Sequence, residues 1–383
     1  MRVLHIGKFY PPYPGGIENF SAELAETLMQ DQTATAVLAH AAPGIHHTQR
    51  YIKNGVDVTL AACHGQLVYA PVSPTFPWLL SQTIRRFKPD LLHLHLPNTS
   101  AFWALLTPAA RRLPWIVHWH SDVPLDAAER TLRLAYRLYR PWEQAVLRRA
   151  KAIIATSNLY LDSSAALAAW HDKTQVIPLG LGATLPPRQS CDWPENSGTV
   201  APLRLLSVGR LAYYKGHDIL LHALAKIPTA VLLLVGSGER EAALKQLAQD
   251  LGIAGRVGFA GAIEDAQLAA SYASADVFCL PSIERSEAFG LVLLEAMRAG
   301  LAVVASAIPG SGVGHVVRDG ETGLLVTPGD ADALAGALSR LQEDSDFRHR
   351  LGHAGRQRWH EEFSMRAVAA QIQKLYRSLL AQP

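Results

Sequence analysis

Two carboxylates, Glu287 and Glu295, stand eight residues apart in the stretch PSIERSEAFGLVLLEAMRAG, residues 281–300. Between them, Ala288, Phe289, Gly290 and Leu291 read as the first turn of a helix that follows an apolar strand at 276–280. Eight residues make a little over two helical turns, which brings both carboxylates near one face. The Glu287 end then exposes backbone N–H groups, a seat for an anion. Carboxylates hold hydroxyl pairs and a helix N-terminus holds phosphate. The segment therefore suits a ligand with both, as a nucleotide-sugar has. Taken alone, such spacing more often marks an amphipathic core helix with a solvated glutamate at each end.

Other residues could share this chemistry. Arg210 follows the apolar run 203–208, and Lys215 comes five residues later in Tyr214-Lys215-Gly216, ahead of a helical pattern. Arginine offers a flat fork to phosphate oxygens and lysine a movable point charge. Together they could stabilise a departing pyrophosphate, a task that Mg2+ performs elsewhere. Isolated basic residues on loops are more often simply solvated. The first strand, 3–6, leads into a loop ending Pro14-Gly15-Gly16-Ile17-Glu18. Paired glycines before a helix let the backbone approach a ligand, although most such turns are only turns. Lys8 in that loop is an additional phosphate contact to consider. Gly236-Ser237-Gly238 likewise joins a strand to a helix. His118 and His120 alternate on an extended segment and so share a face. A metal pair and a packed core pair both fit them, but two histidines with no nearby cysteine and few acids make a poor zinc set. His93 and His95 repeat the pattern one strand earlier.

The elements that must position these residues follow from periodicity. Short apolar runs at 3–6, 35–39, 56–60, 91–95, 115–119, 152–155 and 175–177 alternate with helical patterns at 18–30, 127–150 and 158–170. After the turn-rich stretch 180–202 the alternation restarts. Strands are expected at 203–208, 230–235, 257–259, 276–280, 302–305 and 324–326. Helices are expected at 217–226, 239–251, 265–274, 288–299, 331–343 and 365–380. Such alternation implies parallel sheets covered by helices, with ligands at the carboxyl ends of the strands. A length of 383 residues predicts two domains. With 49% hydrophobic and 18% charged residues, the chain is not disordered, and a net charge of +3 gives no argument for nucleic acid. Three widely spaced cysteines, Cys63, Cys191 and Cys279, fit a reducing compartment. The N-terminus is too short and polar for a signal peptide, and no apolar run reaches about 18 residues, so any membrane contact is expected to be peripheral.

With these motifs assembled, the chain resembles retaining glycosyltransferase family 4, through the E-x7-E pair Glu287 and Glu295, the strand–Arg210-Leu211–Tyr214-Lys215-Gly216–helix context and the Gly15-Gly16 loop. The resemblance implies a GT-B fold: two Rossmann-like, doubly wound α/β domains facing across a cleft, with the C-terminal helix crossing back to the N-terminal domain. It implies an acceptor domain at 1–182 plus 362–383, a linker at 183–199 and a donor domain at 200–361. It also implies roles. Arg210, Lys215 and the helix N-terminus near Gly290 would stabilise the leaving phosphates. Glu287 would orient the transferred sugar as a positioning residue rather than a covalent nucleophile, and Glu295 would take the ribose hydroxyls. Gly236, Ser237, Gly238 and Ile263 would line the nucleoside. Gly15 and Gly16 would lie against the diphosphate, and His120 would contact the sugar. No metal or other cofactor is expected.

Residues 281–290, with Gly310-Ser311-Gly312-Val313 and 319–323, resemble a branch from bacterial polysaccharide clusters, many of whose members use GDP-mannose. Gly314-His315 departs from that branch at the sugar pocket. GDP-mannose is thus the expected donor and a glycan or lipid-linked oligosaccharide the expected acceptor. The alternatives are a UDP-sugar donor, a GT-B-fold nucleotide-sugar epimerase, or a non-catalytic nucleotide-sugar-binding scaffold. The stretch 127–151 interleaves Arg130, Arg133, Arg137, Arg140, Arg148, Arg149 and Lys151 with large apolar residues. A helix lying on anionic lipid and a solvated basic surface helix fit it equally. The expected location is cytoplasmic, with a peripheral place at the inner face of the plasma membrane if the first alternative holds.

Overall fold

The computed structural model describes residues 1–67, 70–123, 130–183, 191–194 and 201–381. The chain divides into two compact units, Met1–Gly182 with Met365–Pro383, and Ala183–Ser364.

The first unit is built on an eight-stranded sheet in the order β10-β9-β8-β7-β1-β2-β4-β3. Its strands are β1 (Arg2–Phe9), β2 (Ala34–His40), β3 (Gln49–Lys53), β4 (Val56–Ala61), β7 (Leu91–Leu96), β8 (Trp115–Trp119), β9 (Ala152–Ala155) and β10 (Thr174–Val176); β5 (Gln66–Leu67) and β6 (Ala70–Pro71) form a separate antiparallel pair. Pairing is parallel except between β3 and β4. The central strands are buried along their length, as parallel strands covered on both faces must be. The helices are α1 (Gly16–Gln30), α2 (Phe76–Phe87), α3 (Trp103–Leu106), α4 (Pro108–Arg111), α5 (Arg130–Arg149) and α6 (Asn158–Ser163).

Six of these elements, β3, β5, β6, α2, α3 and α4, were not anticipated. Strand β3 is an exposed edge strand, with Ile52 77% accessible, so it lacks the apolar signature. Helix α2 opens with a proline in its first turn and buries Phe76, Leu79, Leu80, Ile84 and Phe87 at helical spacing. The helix expected at 158–170 ends at Ser163. Ser157 caps its start, and Ser164 is extended, its hydroxyl donating to Asp122 Oδ1 at 2.6 Å. Of the helix expected at 127–150, residues 127–129 lie outside the described residues.

The second unit carries a six-stranded, all-parallel sheet, order β13-β12-β11-β14-β15-β16. The strands are β11 (Leu203–Val208), β12 (Ala230–Val235), β13 (Val257–Gly261), β14 (Val277–Leu280), β15 (Ala302–Ser306) and β16 (Leu324–Val326). They alternate with α7 (His217–Ala225), α8 (Glu241–Asp250), α9 (Asp265–Ser274), α10 (Leu291–Ala299), α11 (Val313–Val316), α12 (Ala331–Glu343) and α13 (Ser345–Arg358). A π-helical turn, Trp359–Phe363, precedes α14 (Met365–Leu380). Helix α14 returns to the first unit beside α1, where Gln373 donates to Thr33 Oγ1 at 3.2 Å and the Met365 N–H to Leu181 O at 3.0 Å.

The expected position of Glu287 at a helix start is corrected. Helix α10 begins at Leu291, and Gly290 precedes it in the left-handed region at φ 80°, ψ 57°, which breaks the helical path. Glu287 therefore lies in the loop before the helix, and helical periodicity does not relate it to Glu295. Within the expected linker, residues 184–190 and 195–199 lie outside the described residues. Residues 191–194 pack on the second unit: Trp193 Nε1 donates to Ser274 Oγ at 2.9 Å, and Arg204 lies over the Trp193 ring.

Candidate active site

In the second unit the loops after β11, β14 and β15 lock together around Glu287. Gly216, at φ 63°, packs so closely on the β14 loop that a Cβ there would sit 2.1 Å from Pro281 O. The Ile283 N–H donates to Tyr214 O at 2.8 Å, joining the same two loops. From the β15 side, the Gly312 N–H donates to Ala288 O at 2.8 Å, and the Ser311 hydroxyl donates to Glu287 O. This backbone cage holds Glu287 buried and turned inward.

Lys215 Nζ donates to Glu287 Oε2 at 2.6 Å, with only 10% of either side chain accessible. Ser282 Oγ donates to the same oxygen at 3.0 Å. Oε1 has no hydrogen-bond partner among the described residues. Burial pulls the Lys215 pKa down, but the neighbouring Glu287 and Tyr214 more than offset this, so the net shift is upward and the ammonium is retained. The pair is thus a fixed ionic unit with one carboxylate oxygen left over. Immediately after it, the backbone N–H groups of Ala288, Phe289 and Gly290 make no hydrogen bond among the described residues. Consecutive N–H groups ahead of a helix N-terminus form a concavity for an anion.

The remaining residues expected in this half are more loosely held. Arg210 is 68% accessible and pairs with Glu239 at 3.0 Å. Glu295, in the second turn of α10, accepts from Tyr272 Oη at 2.7 Å. The Gly236 N–H donates to Gly261 O at 2.7 Å, and Ser237 O accepts from the Leu211 N–H at 3.0 Å, which packs the loops after β11, β12 and β13 side by side. Gly238 packs against Leu211, and Ile263 lies partly exposed just past β13. Ser282 and Ser311 fall in segments read only for the donor branch, Tyr272 and Glu239 were given no role, and the contacts of all four escaped sequence reasoning. Each reaches its site residue across 5 to 29 positions, a spacing that no short motif fixes.

In the first unit Gly15 is the residue before α1 and Gly16 its first residue. The Glu18 carboxylate folds back over Gly15. Burial lowers the Lys8 pKa and raises that of Glu18, and the attraction between the two partly reverses both shifts. His120 is found in unexpected company. His5 on β1, His93 and His95 on β7, His118 on β8 and His120 just past its end line one sheet face, in register His5 with His93 and His95 with His118. All five rings are buried. Ring nitrogens meet at 3.0 Å (His5 Nδ1, His95 Nε2), 2.9 Å (His95 Nδ1, His120 Nε2) and 3.2 Å (His93 Nε2, His118 Nδ1). Burial pushes every one of these pKa values down, His95 to about 3, so the rings are neutral near pH 7. His5 was missed because a lone histidine on an apolar strand carries no pattern of its own.

Two overlapping triads of this row, His5/His93/His95 and His95/His118/His120, bring nitrogens within 4.8 Å of one another. The rings of His118 and His120, however, stack 4.3 Å apart and within 6° of parallel. Lone pairs lie in the ring plane, so two such stacked rings do not aim at a common point. The row is organised by imidazole–imidazole hydrogen bonds.

Comparison with known proteins adds a second line of observation. A family model described as "Glycosyl transferases group 1" matches residues 194–358, and one described as "Glycosyl transferase 4-like domain" matches residues 15–180. The O-antigen chain mannosyltransferase C of Escherichia coli is 30% identical over 395 residues, covering 99% of each chain. The phosphatidyl-myo-inositol mannosyltransferase of Mycolicibacterium smegmatis is 30% identical over 385 residues, covering 99% of this chain and 94% of that one. Among solved structures, sucrose-phosphate synthase from Thermosynechococcus elongatus superposes with a TM-score of 0.79 at 27% identity, over 100% of both chains.

Proposed function

The chain belongs to the group 1 glycosyl transferases, with a 4-like first half, and on that premise we propose that it moves mannose from GDP-mannose to a hydroxyl of a glycan or lipid-linked acceptor in bacterial surface-polysaccharide synthesis. We assign retention of configuration and no metal ion. The observation that carries this reading is the buried Lys215–Glu287 unit, with its open Oε1 beside three unpaired backbone N–H groups. Glu287 Oε1 takes a hydroxyl of the transferred sugar. The N–H groups of Ala288, Phe289 and Gly290, with Arg210 and Lys215, take the diphosphate, and Glu295 takes the ribose hydroxyls. Gly236, Ser237, Gly238 and Ile263 face the nucleoside. In the first unit Gly15 and Gly16 are assigned to the diphosphate and the acceptor, and His120 to the sugar. As the bond from the anomeric carbon to phosphate breaks, positive charge grows on the sugar and negative charge on the phosphate, which these donors stabilise. The acceptor hydroxyl attacks from the vacated face and passes its proton to a diphosphate oxygen. Two relatives named as mannosyltransferases support mannose.

A panel of nucleotide-sugars, with and without lipid-linked acceptor, tests the reading. GDP release from GDP-mannose that rises with acceptor is expected, at a rate unchanged by EDTA, with the anomeric configuration of the product retained by proton NMR. UDP release instead would move the donor to a UDP-sugar. Interconversion of the sugar without acceptor would make the protein an epimerase.

Helix α5 supports a membrane surface for the acceptor. Leu134, Leu138 and Trp142 recur at four-residue spacing and are 63%, 75% and 43% accessible, flanked by the exposed Arg133, Arg137 and Arg140. A solvated basic face would not turn three large apolar residues outward in a row. An apolar stripe bordered by arginines suits the interface of an anionic bilayer. Among the described residues no helix is long and apolar enough to cross a membrane.

A further inference from the structure

The histidine row determines which nitrogen of His120 carries the proton. Ser21 Oγ lies 2.7 Å from Ile17 O, and a carbonyl can only accept, so the single hydroxyl proton of Ser21 is committed there. Toward His95 Nδ1, 3.4 Å away, the same oxygen can then only accept. The Ser21 contact is made only if the one proton of neutral His95 sits on Nδ1, where it is shared between Ser21 Oγ and His120 Nε2 at 2.9 Å. His95 Nε2 is left bare and accepts from His5 Nδ1 at 3.0 Å. His120 Nε2 is an acceptor, so neutral His120 carries its proton on Nδ1. That atom is buried and has no hydrogen-bond partner among the described residues.

We infer that Ser21, His95 and His5 are positioning residues that hold His120 in the Nδ1–H tautomer, as an unpaired hydrogen-bond donor kept for an oxygen of the ligand. A buried donor with no partner is desolvated without compensation, and a hydroxyl or phosphate oxygen arriving at Nδ1 would supply the missing bond. The neighbouring row runs the same way. Tyr376 Oη and His93 Nδ1 are hydrogen-bond partners; with the hydroxyl as donor, His93 carries its proton on Nε2, which faces His118 Nδ1 at 3.2 Å, and His118 Nε2 is again buried without a partner. In that arrangement both rows end in N–H donors at the carboxyl end of β8. Only the use of the His120 donor, not its tautomer, rests on the assignment of His120 to the sugar.

The test is a long-range proton–nitrogen correlation spectrum of protein labelled with nitrogen-15 histidine at pH 7.5. The His120 signals are identified by their loss in His120→Gln. The wild-type protein should show the His120 proton on Nδ1. His95→Phe removes the donor that occupies Nε2 and should move the proton to Nε2 in most molecules. His95→Asn places an amide N–H where Nδ1–H was and should restore the wild-type pattern. A His120 proton on Nε2 in the wild-type spectrum overturns the inference whether or not any variant folds, and so does an unchanged tautomer in a folded His95→Phe. Turnover is read separately: full activity in His120→Ala would remove the sugar contact while the tautomer assignment stood.

Discussion

Lys215 and Glu287 form one residue-scale device that joins stability to chemistry. Removing one partner of a buried ion pair strands the other charge, at a cost of roughly 3–5 kcal/mol. Lys215→Ala and Glu287→Ala should each lower the urea midpoint by an amount consistent with that cost. Both should cut kcat by roughly 10²–10³-fold, the loss expected when one group stabilising transition-state charge is removed. The double replacement Lys215→Met with Glu287→Leu should recover most of the stability, because a matched apolar pair restores packing without desolvated charge. Its turnover should stay at the level of the single variants. Recovery of activity along with stability would make the pair structural only. The candidates were legible from sequence as residue types in context. Their mutual contact was not, because the two residues are 72 positions apart and meet only when β11 and β14 pair.

At the scale of elements, most strands were readable because continuous burial writes a run of apolar residues into each one. Strand β8, for instance, is buried at all five positions. Strand β3 was not readable, because it carries exposed residues and no such run, whereas the other edge strands β10, β13 and β16 were expected. The start of α10 was misread because Ala288, Phe289 and Leu291 are ordinary helix residues, and Gly290 in the left-handed region overrides them. Gly216 is under a similar constraint. Gly216→Ala would set a Cβ against Pro281 O and strain the backbone, so it should cost roughly 1–3 kcal/mol by urea unfolding. It should also weaken donor binding by calorimetry, since the Pro281 loop leads to Ser282 and Glu287. Wild-type values for both would show that the loop relaxes freely. For α5, Leu138→Asp should abolish flotation with anionic vesicles at low salt while turnover on a water-soluble acceptor is unchanged. Flotation equal to wild type would return α5 to an ordinary surface helix.

Across the whole molecule the buried histidines are unevenly shared, and this sets a pH dependence. A histidine whose pKa falls on folding takes its proton first in the unfolded chain. Its contribution to stability is full above about 6.5 and drains away as pH falls toward the folded value. His40 falls to about 4 and His95 to about 3, with His5, His93, His118 and His120 also lowered, all in the first unit. The second unit has His217, lowered to about 4, and His315, also lowered. Each such group contributes a slope of about 1.4 kcal/mol per pH unit inside its window. The first unit should therefore lose stability faster between pH 6.5 and 4. Hydrogen exchange followed by mass spectrometry at pH 7.5 and 5 should show β1, β7 and β8 losing protection before β11, β12 and β14. The reverse order would contradict the neutral, buried state of the row.

The amino-acid sequence by itself determined the α/β class, the parallel sheets and the segments that carry chemistry. These follow from local periodicity and from glycines and charges at strand ends, all encoded within about ten residues. Tertiary structure alone decided that Lys215 is bound to Glu287, that Ser282 holds that carboxylate while Ser311 holds the Glu287 carbonyl, and that five histidines on or just past three strands share one face. Those facts depend on strand order and register, with β7 lying between β1 and β8 although long stretches of chain separate them. A register shift of one residue would turn each histidine to the opposite face. No short window of sequence carries that register, because it is set by the packing of the whole sheet.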